Sequence, residues 1–352
     1  MQNNLKINYL NKKPKNFNNF NIGIIGAGNI IENSHLPVYQ QEGLNIINIF
    51  DIDYKKSENL KKKFNINKCS KNLNEILDDE NIHILDIAVP AKYNKELFNK
   101  AVEKKKHILI QKPLSDNIES AYEILKIYNK SNIKANVNHQ MRYSPSIKAA
   151  KFILDENILG KIKKFKIFTH RYTDWSLWPW LEKIDYPELR YNSIHYIDTI
   201  RFLFGNPISI NTNFIKSDND ILDKPTNILI DFNYKSLSGC LDITHNSKLE
   251  PEKWKAGFEI IGVNGKCEGV ISSMIGNGLK FNDSINISYH KNNLSINENH
   301  KLEGRWFSEA FLGPMYSLMN SINNNTQPQT NINQAYQTLL LVERVIKSDI
   351  LK

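Results

Sequence analysis

Gly23-Ile24-Ile25-Gly26-Ala27-Gly28-Asn29-Ile30 follows directly on an apolar run that begins at Ile22. A short apolar strand that breaks into Gly-x-Gly can turn tightly and bring its backbone close to a pyrophosphate, while the helix that follows offers unpaired N-terminal amides to the anion. The surrounding residues support a dinucleotide-binding turn. The stretch Ile30–Gln41 is amphipathic and supplies the helix, and a second apolar run, Leu44–Phe50, ends in Asp51. That carboxylate stands 23 residues after Gly28, where a ribose 2′-hydroxyl needs an acceptor. Ile31 occupies the position of the pattern's third glycine, so the helix is expected to pack less closely on its strand.

From residue 21 to about residue 135, apolar runs alternate with amphipathic stretches in βαβ order, which implies a parallel sheet. Strands are expected at Ile22–Gly26, Ile46–Asp51, Ile84–Val89, His107–Gln111 and Lys134–Asn138, with helices near Lys55–Phe64, Leu73–Leu77, Lys95–Lys104 and Ile118–Tyr128. Beyond residue 141 the pattern changes. A helix at Ile147–Asp155 precedes seven alternating runs between Lys163 and Tyr289, interrupted by a helix at Tyr196–Leu203, and two helices close the chain at Ser308–Ile322 and Ile332–Asp349. Consecutive β runs imply a mostly antiparallel sheet. The fold class is therefore α/β plus α+β. The expected domains are a flexible tail over 1–20, a Rossmann domain over 21–140, and a substrate-binding and oligomerisation domain over 141–352, whose last helices can pack back on the first domain.

A chain of 352 residues with 41% hydrophobic side chains can build two cores, and it has no apolar run of the ~20 residues that span a bilayer. The Asn/Lys-rich start has no apolar signal segment. Three scattered cysteines, Cys69, Cys240 and Cys267, give neither a disulfide framework nor a metal knuckle. A cytoplasmic protein without metal is the expectation. The net charge of +9 comes from dispersed lysines without an arginine-rich, aromatic-interleaved stripe, so nucleic acid is not the expected partner.

Two places can carry chemistry. Lys112 ends an apolar strand and is fixed by Pro113, so its ammonium can project above the sheet and hydrogen-bond or protonate a reacting oxygen. The segment Arg190-Tyr191-Asn192-Ser193-Ile194-His195 enters a helix, and its spacing sets Tyr191 and His195 on one face. A histidine titrates near neutrality and suits proton exchange with an alcohol. His195 with Asp198 lacks the further ligands that a metal would need.

Together these segments resemble the glucose-fructose oxidoreductase / inositol dehydrogenase (Gfo/Idh/MocA) family over essentially the whole chain after residue 20. The carrying motifs are Gly23–Ile30 followed by His35-Leu36-Pro37, Asp51, Gln111-Lys112-Pro113, the stretch Asn138–Pro145, His195 to Asp198 with Arg201–Gly205 behind it, and the final Thr338–Glu343. The resemblance implies reversible hydride transfer between NAD(P) and a hydroxyl of a sugar, sugar acid, nucleotide sugar or polyol, in a homodimer or homotetramer. It implies Lys112, His195 and Tyr191 as catalytic residues. The implied cofactor contacts are Gly26, Gly28, Asn29, Ile30, Asp51, Val89, Pro90, Asn94, Gln111, Lys112 and Gln140. Arg142, Arg171, Trp178, Arg190, Asn192 and His195 are implied at the substrate. Asp51 favours NAD, because a 2′-phosphate would be repelled there, and Lys55 and Lys56 leave NADP open. This chain departs from the family in three places: Gln111 replaces a glutamate, Tyr191 an aspartate common in sugar dehydrogenases, and Asn94 a common histidine. Two other readings are a glycoside-remodelling enzyme that oxidises transiently, and a nucleotide-binding regulator without catalysis.

Overall fold

The computed structural model describes residues 5–216, 224–272, 282–292 and 294–350, so residues 1–4 of the expected tail lie outside the described residues. Contacts divide the chain into two compact units, one of residues 11–140 and 308–339, the other of the remainder.

The first unit is built on a six-stranded parallel sheet. Its strands are β1 (Asn21–Ile25), β2 (Asn45–Phe50), β3 (Lys68–Cys69), β4 (Ile84–Ile87), β5 (His107–Ile110) and β6 (Ala135–Val137), in the order β3-β2-β1-β4-β5-β6. Strand β4 is buried at all four positions, as expected of a parallel strand covered on both faces. The crossover helices are α1 (Leu36–Glu42), α2 (Tyr54–Phe64), α3 (Leu73–Leu77), α4 (Asn94–Glu103) and α5 (Ile118–Asn129). Short polar side chains start several of them: Asn117 Oδ1 accepts the Ser120 amide at 2.8 Å and Asn72 Oδ1 the Glu75 amide at 3.1 Å. The core joins Ile25, Leu85, Ile87, Phe98 and Ile110 to Ile332, Ala335 and Leu339 of the closing helix. Buried Asn136 fastens residues 308–339 to the edge strand, donating to the Pro314 carbonyl at 2.8 Å and accepting from Thr330 N–H and O–H at 3.0 and 2.7 Å.

The second unit contains an eight-stranded sheet: β7 (Ile162–His170), β8 (Ser209–Ile215), β9 (Asn227–Asn233), β10 (Ser238–Thr244), β11 (Lys255–Gly262), β12 (Gly265–Val270), β13 (Ser284–Lys291) and β14 (Leu294–Lys301). The order is β14-β13-β12-β11-β7-β10-β9-β8, and every pairing is antiparallel except that of β7 with β10. The class anticipated from the sequence is thus the class observed. In β9 the side chains alternate, Ile228, Ile230 and Phe232 buried and Leu229, Asp231 and Asn233 exposed, so one face of the sheet lies in the core. Helices α6 (Pro145–Asp155) and α7 (Ile194–Phe204) belong to this unit, and the Phe204 ring of α7 stacks on Phe165 of β7 at 4.1 Å.

Two strands were not anticipated. β3 has two residues, and β14 reads Leu-Ser-Ile-Asn-Glu-Asn-His-Lys, an edge strand too polar to show an apolar period. The helix after the glycine turn also departs from α geometry, because residues Ile31–His35 form a π turn before α1. A second π turn, Leu189–Ser193, precedes α7.

Candidate nucleotide site and candidate substrate segment

Within the first unit the glycine turn has two different glycines. Gly26 lies at φ +106°, and a Cβ placed on it would stand 2.3 Å from the Ala88 carbonyl oxygen, so this position is glycine for the protein's own packing. Gly28 has nothing within 4 Å of the same point. The space over Gly28 is therefore open, as a closely approaching pyrophosphate requires. Gly28 and Asn29 are exposed, Ile30 is half-buried, and Ile31 is fully buried in the place of the third glycine.

Asp51, just past the end of β2, reaches this turn. Its Oδ2 accepts the Ala27 amide at 2.7 Å and its Oδ1 accepts the Asp53 amide at 2.8 Å. The carboxylate is thus fixed on the turn itself, and each oxygen keeps a second lone pair for a hydroxyl. Val89 is half-buried and Pro90 exposed on the loop after β4.

The strand ends on the other side of β1 carry amides. Gln111 and Lys112 follow β5, both half-buried, and the Lys112–Pro113 peptide is cis. Asn94, expected at the cofactor, is 1% exposed, and its amide donates to the Pro113 and Leu114 carbonyls at 3.2 and 3.1 Å. Its side chain therefore braces the loop that follows Lys112. Asn94 Oδ1, Asn138 Oδ1 and Gln140 Oε1 are buried oxygens without a donor among the described residues. Unfilled acceptors past the strand ends of the sheet that carries the open glycine turn fit a group rich in N–H and O–H donors, such as the ribose hydroxyls and carboxamide of a nicotinamide nucleotide.

In the sequence His35 stands only within the motif His35-Leu36-Pro37. The structure buries it completely, with Nδ1 2.7 Å from Asp86 Oδ2 and Nε2 3.1 Å from Asn138 Nδ2 and 3.3 Å from Gln111 Nε2. Asp86 and Tyr39 were not singled out, because nothing local in β4 or α1 shows that three distant segments converge on one imidazole.

In the second unit, His195 is the second residue of α7, 4% exposed, with its ring edge-on to Trp306 at 5.5 Å. Tyr191, in the π turn, meets Trp180 at 5.0 Å and packs on the small cluster of Trp175 and Leu181. The π turn ends at Ser193, two residues before His195.

Arg142, expected at the substrate, is 3% exposed and forks onto Asp198 of α7 at 2.5 and 2.6 Å. A buried guanidinium paired bidentately with a carboxylate is a clamp on the helix, and its charge is balanced there. The same pairing occupies Asp198, which was weighed as a metal partner of His195. Among the described residues no group of three His, Cys, Asp or Glu side chains could hold a metal ion. Arg190 is also engaged, by Glu343 and by the Asp185 carbonyl at 3.1 Å.

Asn192 and Arg171 come together, with the Arg171 guanidinium donating to Asn192 Oδ1 at 3.3 Å. Behind Asn192 lies a buried set in which Glu188 carried no mark in the sequence. His245 Nε2 is 2.8 Å from Asn192 Nδ2 and 2.9 Å from Glu188 Oε1, Nδ1 is 2.7 Å from the Thr173 hydroxyl, and Ser193 donates to both Glu188 oxygens at 2.8 Å. Trp175 is buried against His245, whereas Trp178 and Trp180 are 37% and 44% exposed.

A six-stranded parallel sheet with a glycine turn and a carboxylate fixed on it, together with an open-faced sheet, defines a Rossmann-type oxidoreductase of two domains. Residues 20–139 match the model of the oxidoreductase family, NAD-binding Rossmann fold, and residues 151–350 that of the oxidoreductase family, C-terminal alpha/beta domain. The chain belongs to the Gfo/Idh/MocA oxidoreductase family, and NAD is the cofactor of its first domain.

An uncharacterised protein of Saccharomyces cerevisiae is 33% identical over 157 residues, 44% of each chain. Levoglucosan dehydrogenase of Pseudarthrobacter phenanthrenivorans is 28% identical over 158 residues, 43% of this chain and 40% of the relative. The matched segments thus span less than half the length of these two relatives. A solved structure of levoglucosan dehydrogenase in complex with NADH and L-sorbose superposes with a TM-score of 0.79 at 19% identity, covering 94% of this chain and 96% of the other, a likeness of fold. No helix among the described residues is long and apolar enough to cross a membrane.

Proposed function

We propose that this protein is an NAD-linked dehydrogenase that transfers a hydride between nicotinamide and a hydroxyl of a sugar, sugar acid or polyol. The observation that carries the sugar part is the pair of exposed tryptophans, Trp178 and Trp180, in the same unit as the Arg171–Asn192 pair. An exposed indole stacks on the apolar face of a sugar, and amide and guanidinium groups bind its hydroxyls. The levoglucosan dehydrogenase similarity supports the same substrate class.

In this reading the cofactor supplies the hydride chemistry when bound. Gly26, Gly28, Asn29 and Ile30 hold the pyrophosphate at the helix start, and Asp51 takes the ribose hydroxyl and disfavours a 2′-phosphate. Gln111, Gln140, Val89 and Pro90 line the nicotinamide end. Lys112 polarises the reacting oxygen, His195 exchanges its proton, and Tyr191 contributes a phenolic hydrogen bond. The cofactor domain covers 21–140 and the substrate domain 141–352, whose residues 308–339 pack back into the cofactor unit. Assembly as a dimer or tetramer belongs to the same proposal.

The test is a panel of sugars, sugar acids and inositols incubated with NAD⁺ while NADH absorbance is followed. At least one should be oxidised, Lys112→Ala and His195→Ala should each lower kcat by about 10²-fold or more with NADH binding retained, and Trp178→Ala should raise KM. If no compound in the panel reduces NAD⁺, the sugar reading falls.

A further inference from the structure

Asp86 is a carboxylate in the middle of the fully buried strand β4, between Leu85 and Ile87. Its Oδ2 accepts the Tyr39 hydroxyl at 2.8 Å and lies 2.7 Å from His35 Nδ1. Burial, reinforced by the Asp86 charge, holds the Tyr39 phenol well above its ordinary pKa, so it remains a donor. The carboxylate therefore draws the histidine's proton to Nδ1. Nε2 then presents a lone pair, and the two groups that face it are donors: Gln111 Nε2 at 3.3 Å and Asn138 Nδ2 at 3.1 Å.

Each amide is oriented by that lone pair. With Gln111 Nε2 turned to the histidine, Gln111 Oε1 accepts the Lys112 backbone N–H at 2.8 Å. With Asn138 Nδ2 turned the same way, Asn138 Oδ1 is left as a buried acceptor with no donor among the described residues. Reversing either amide would set an oxygen against a lone pair, and for Gln111 it would also set a donor against the Lys112 N–H.

We propose that Asp86 is a positioning residue, which through the Nδ1–H tautomer of His35 fixes the amides of Gln111 and Asn138 and so the backbone of Lys112 and a buried acceptor for the cofactor. None of these groups needs to touch substrate. The bearing on catalysis rests on the role proposed above for Lys112, but the relay itself is a property of the nucleotide unit.

Its signature is spectroscopic. Protein labelled with ¹⁵N-histidine and ¹⁵N-lysine should show His35 protonated on Nδ1 and a hydrogen-bonded Lys112 amide. Asp86→Val removes the acceptor, and the proton should move to Nε2. The Gln111 amide reverses, the Lys112 amide signal shifts upfield and exchanges faster, and NADH affinity falls by about tenfold. Adding Gln111→Glu to Asp86→Val restores one carboxylate, which accepts the Nε2 proton with one oxygen and the Lys112 N–H with the other. The Lys112 signal should then return to near wild type.

A side chain that merely fills space in β4 would leave the tautomer unmoved and the double variant no better than the single. The proposal is overturned by an Nε2-protonated His35 in the wild type, a measurement that needs no variant, by a Lys112 amide indifferent to Asp86→Val, or by a double variant that recovers nothing. None of these readings involves a sugar, so a failed substrate panel and a failed relay are separate results.

Discussion

Two substitutions of the same kind, two residues apart in one turn, should do opposite things. Gly26→Ala places a methyl group 2.3 Å from the Ala88 oxygen and 2.9 Å from its carbon, at a φ of +106°. The backbone conformation costs about 1–3 kcal/mol for an L-residue, and relieving so close a contact costs about 1–3 kcal/mol more. The Ala88 carbonyl cannot retreat freely, because its own amide is held by the Ile25 carbonyl at 2.8 Å. A loss near ~3 kcal/mol should lower Tm by about 6–12 °C in a domain of this size. Gly28→Ala meets nothing within 4 Å. It should leave Tm unchanged or raise it slightly, since alanine restricts the unfolded chain by about 0.4–1 kcal/mol, yet weaken NADH at least about tenfold by filling the approach to the pyrophosphate. The assay is thermal unfolding of both variants with and without NADH, with fluorescence titration of the nucleotide. If Gly28→Ala binds NADH like the wild type, or Gly26→Ala melts with it, the division of labour in the turn is refuted.

Asp51→Ala removes the acceptor of the Ala27 and Asp53 amides; it should weaken NADH and narrow or reverse its advantage over NADPH, read by parallel titrations, and an unchanged ratio would exclude Asp51 as the selector. Asp198→Ala removes the carboxylate paired with the 3%-exposed Arg142 guanidinium and should destabilise the protein by about 3–5 kcal/mol in denaturant unfolding, whereas Arg142→Met combined with Asp198→Leu should recover most of that loss. Lys148 donates to the Leu10 carbonyl at 2.5 Å, and burial pulls its pKa from 10.5 down to about 8. The folded state thus disfavours the ammonium, so the penalty is complete below pH 8 and disappears as the pH rises toward 10.5. Lys148→Met should accordingly raise stability by about 1 kcal/mol at neutral pH, after allowance for solvent screening, with the gain vanishing at alkaline pH. A constant difference across that range would contradict the assignment.

What was legible in the chain was whatever the local pattern encodes. The glycine turn, Asp51 and Ile84–Ile87 could be read because each is short, contiguous and apolar or capped by a single carboxylate. β14 could not, since an edge strand exposed to water needs no apolar run, and the two π turns left no mark because one extra residue in a helix start does not disturb its amphipathic stripe. Side-chain pairing was the least visible. Arg142 was expected at the substrate, but nothing local shows its pairing with Asp198, which another helix carries in. Asn94 was expected at the cofactor, but nothing local shows that its amide also holds the Pro113 and Leu114 carbonyls. The Glu188–His245 pair and the Asp86–His35 pair each join segments more than fifty residues apart, and only the folded sheets bring them together.

The position of β7 has a consequence for how the chain reaches this fold. Phe165 in its middle pairs with Gly239 on one side and Ile260 on the other, so neither neighbour exists when the strand emerges during synthesis. The hairpins β8–β9–β10 and β11–β12–β13–β14 can close locally as they appear, but the two wings stay separate until β7 is captured between them. The loop closures that do this are long, which slows them and leaves both edges of β7 open to other chains meanwhile. Substitutions that weaken β7 should therefore show first as aggregation during expression and only later as a lowered melting point in the protein that survives.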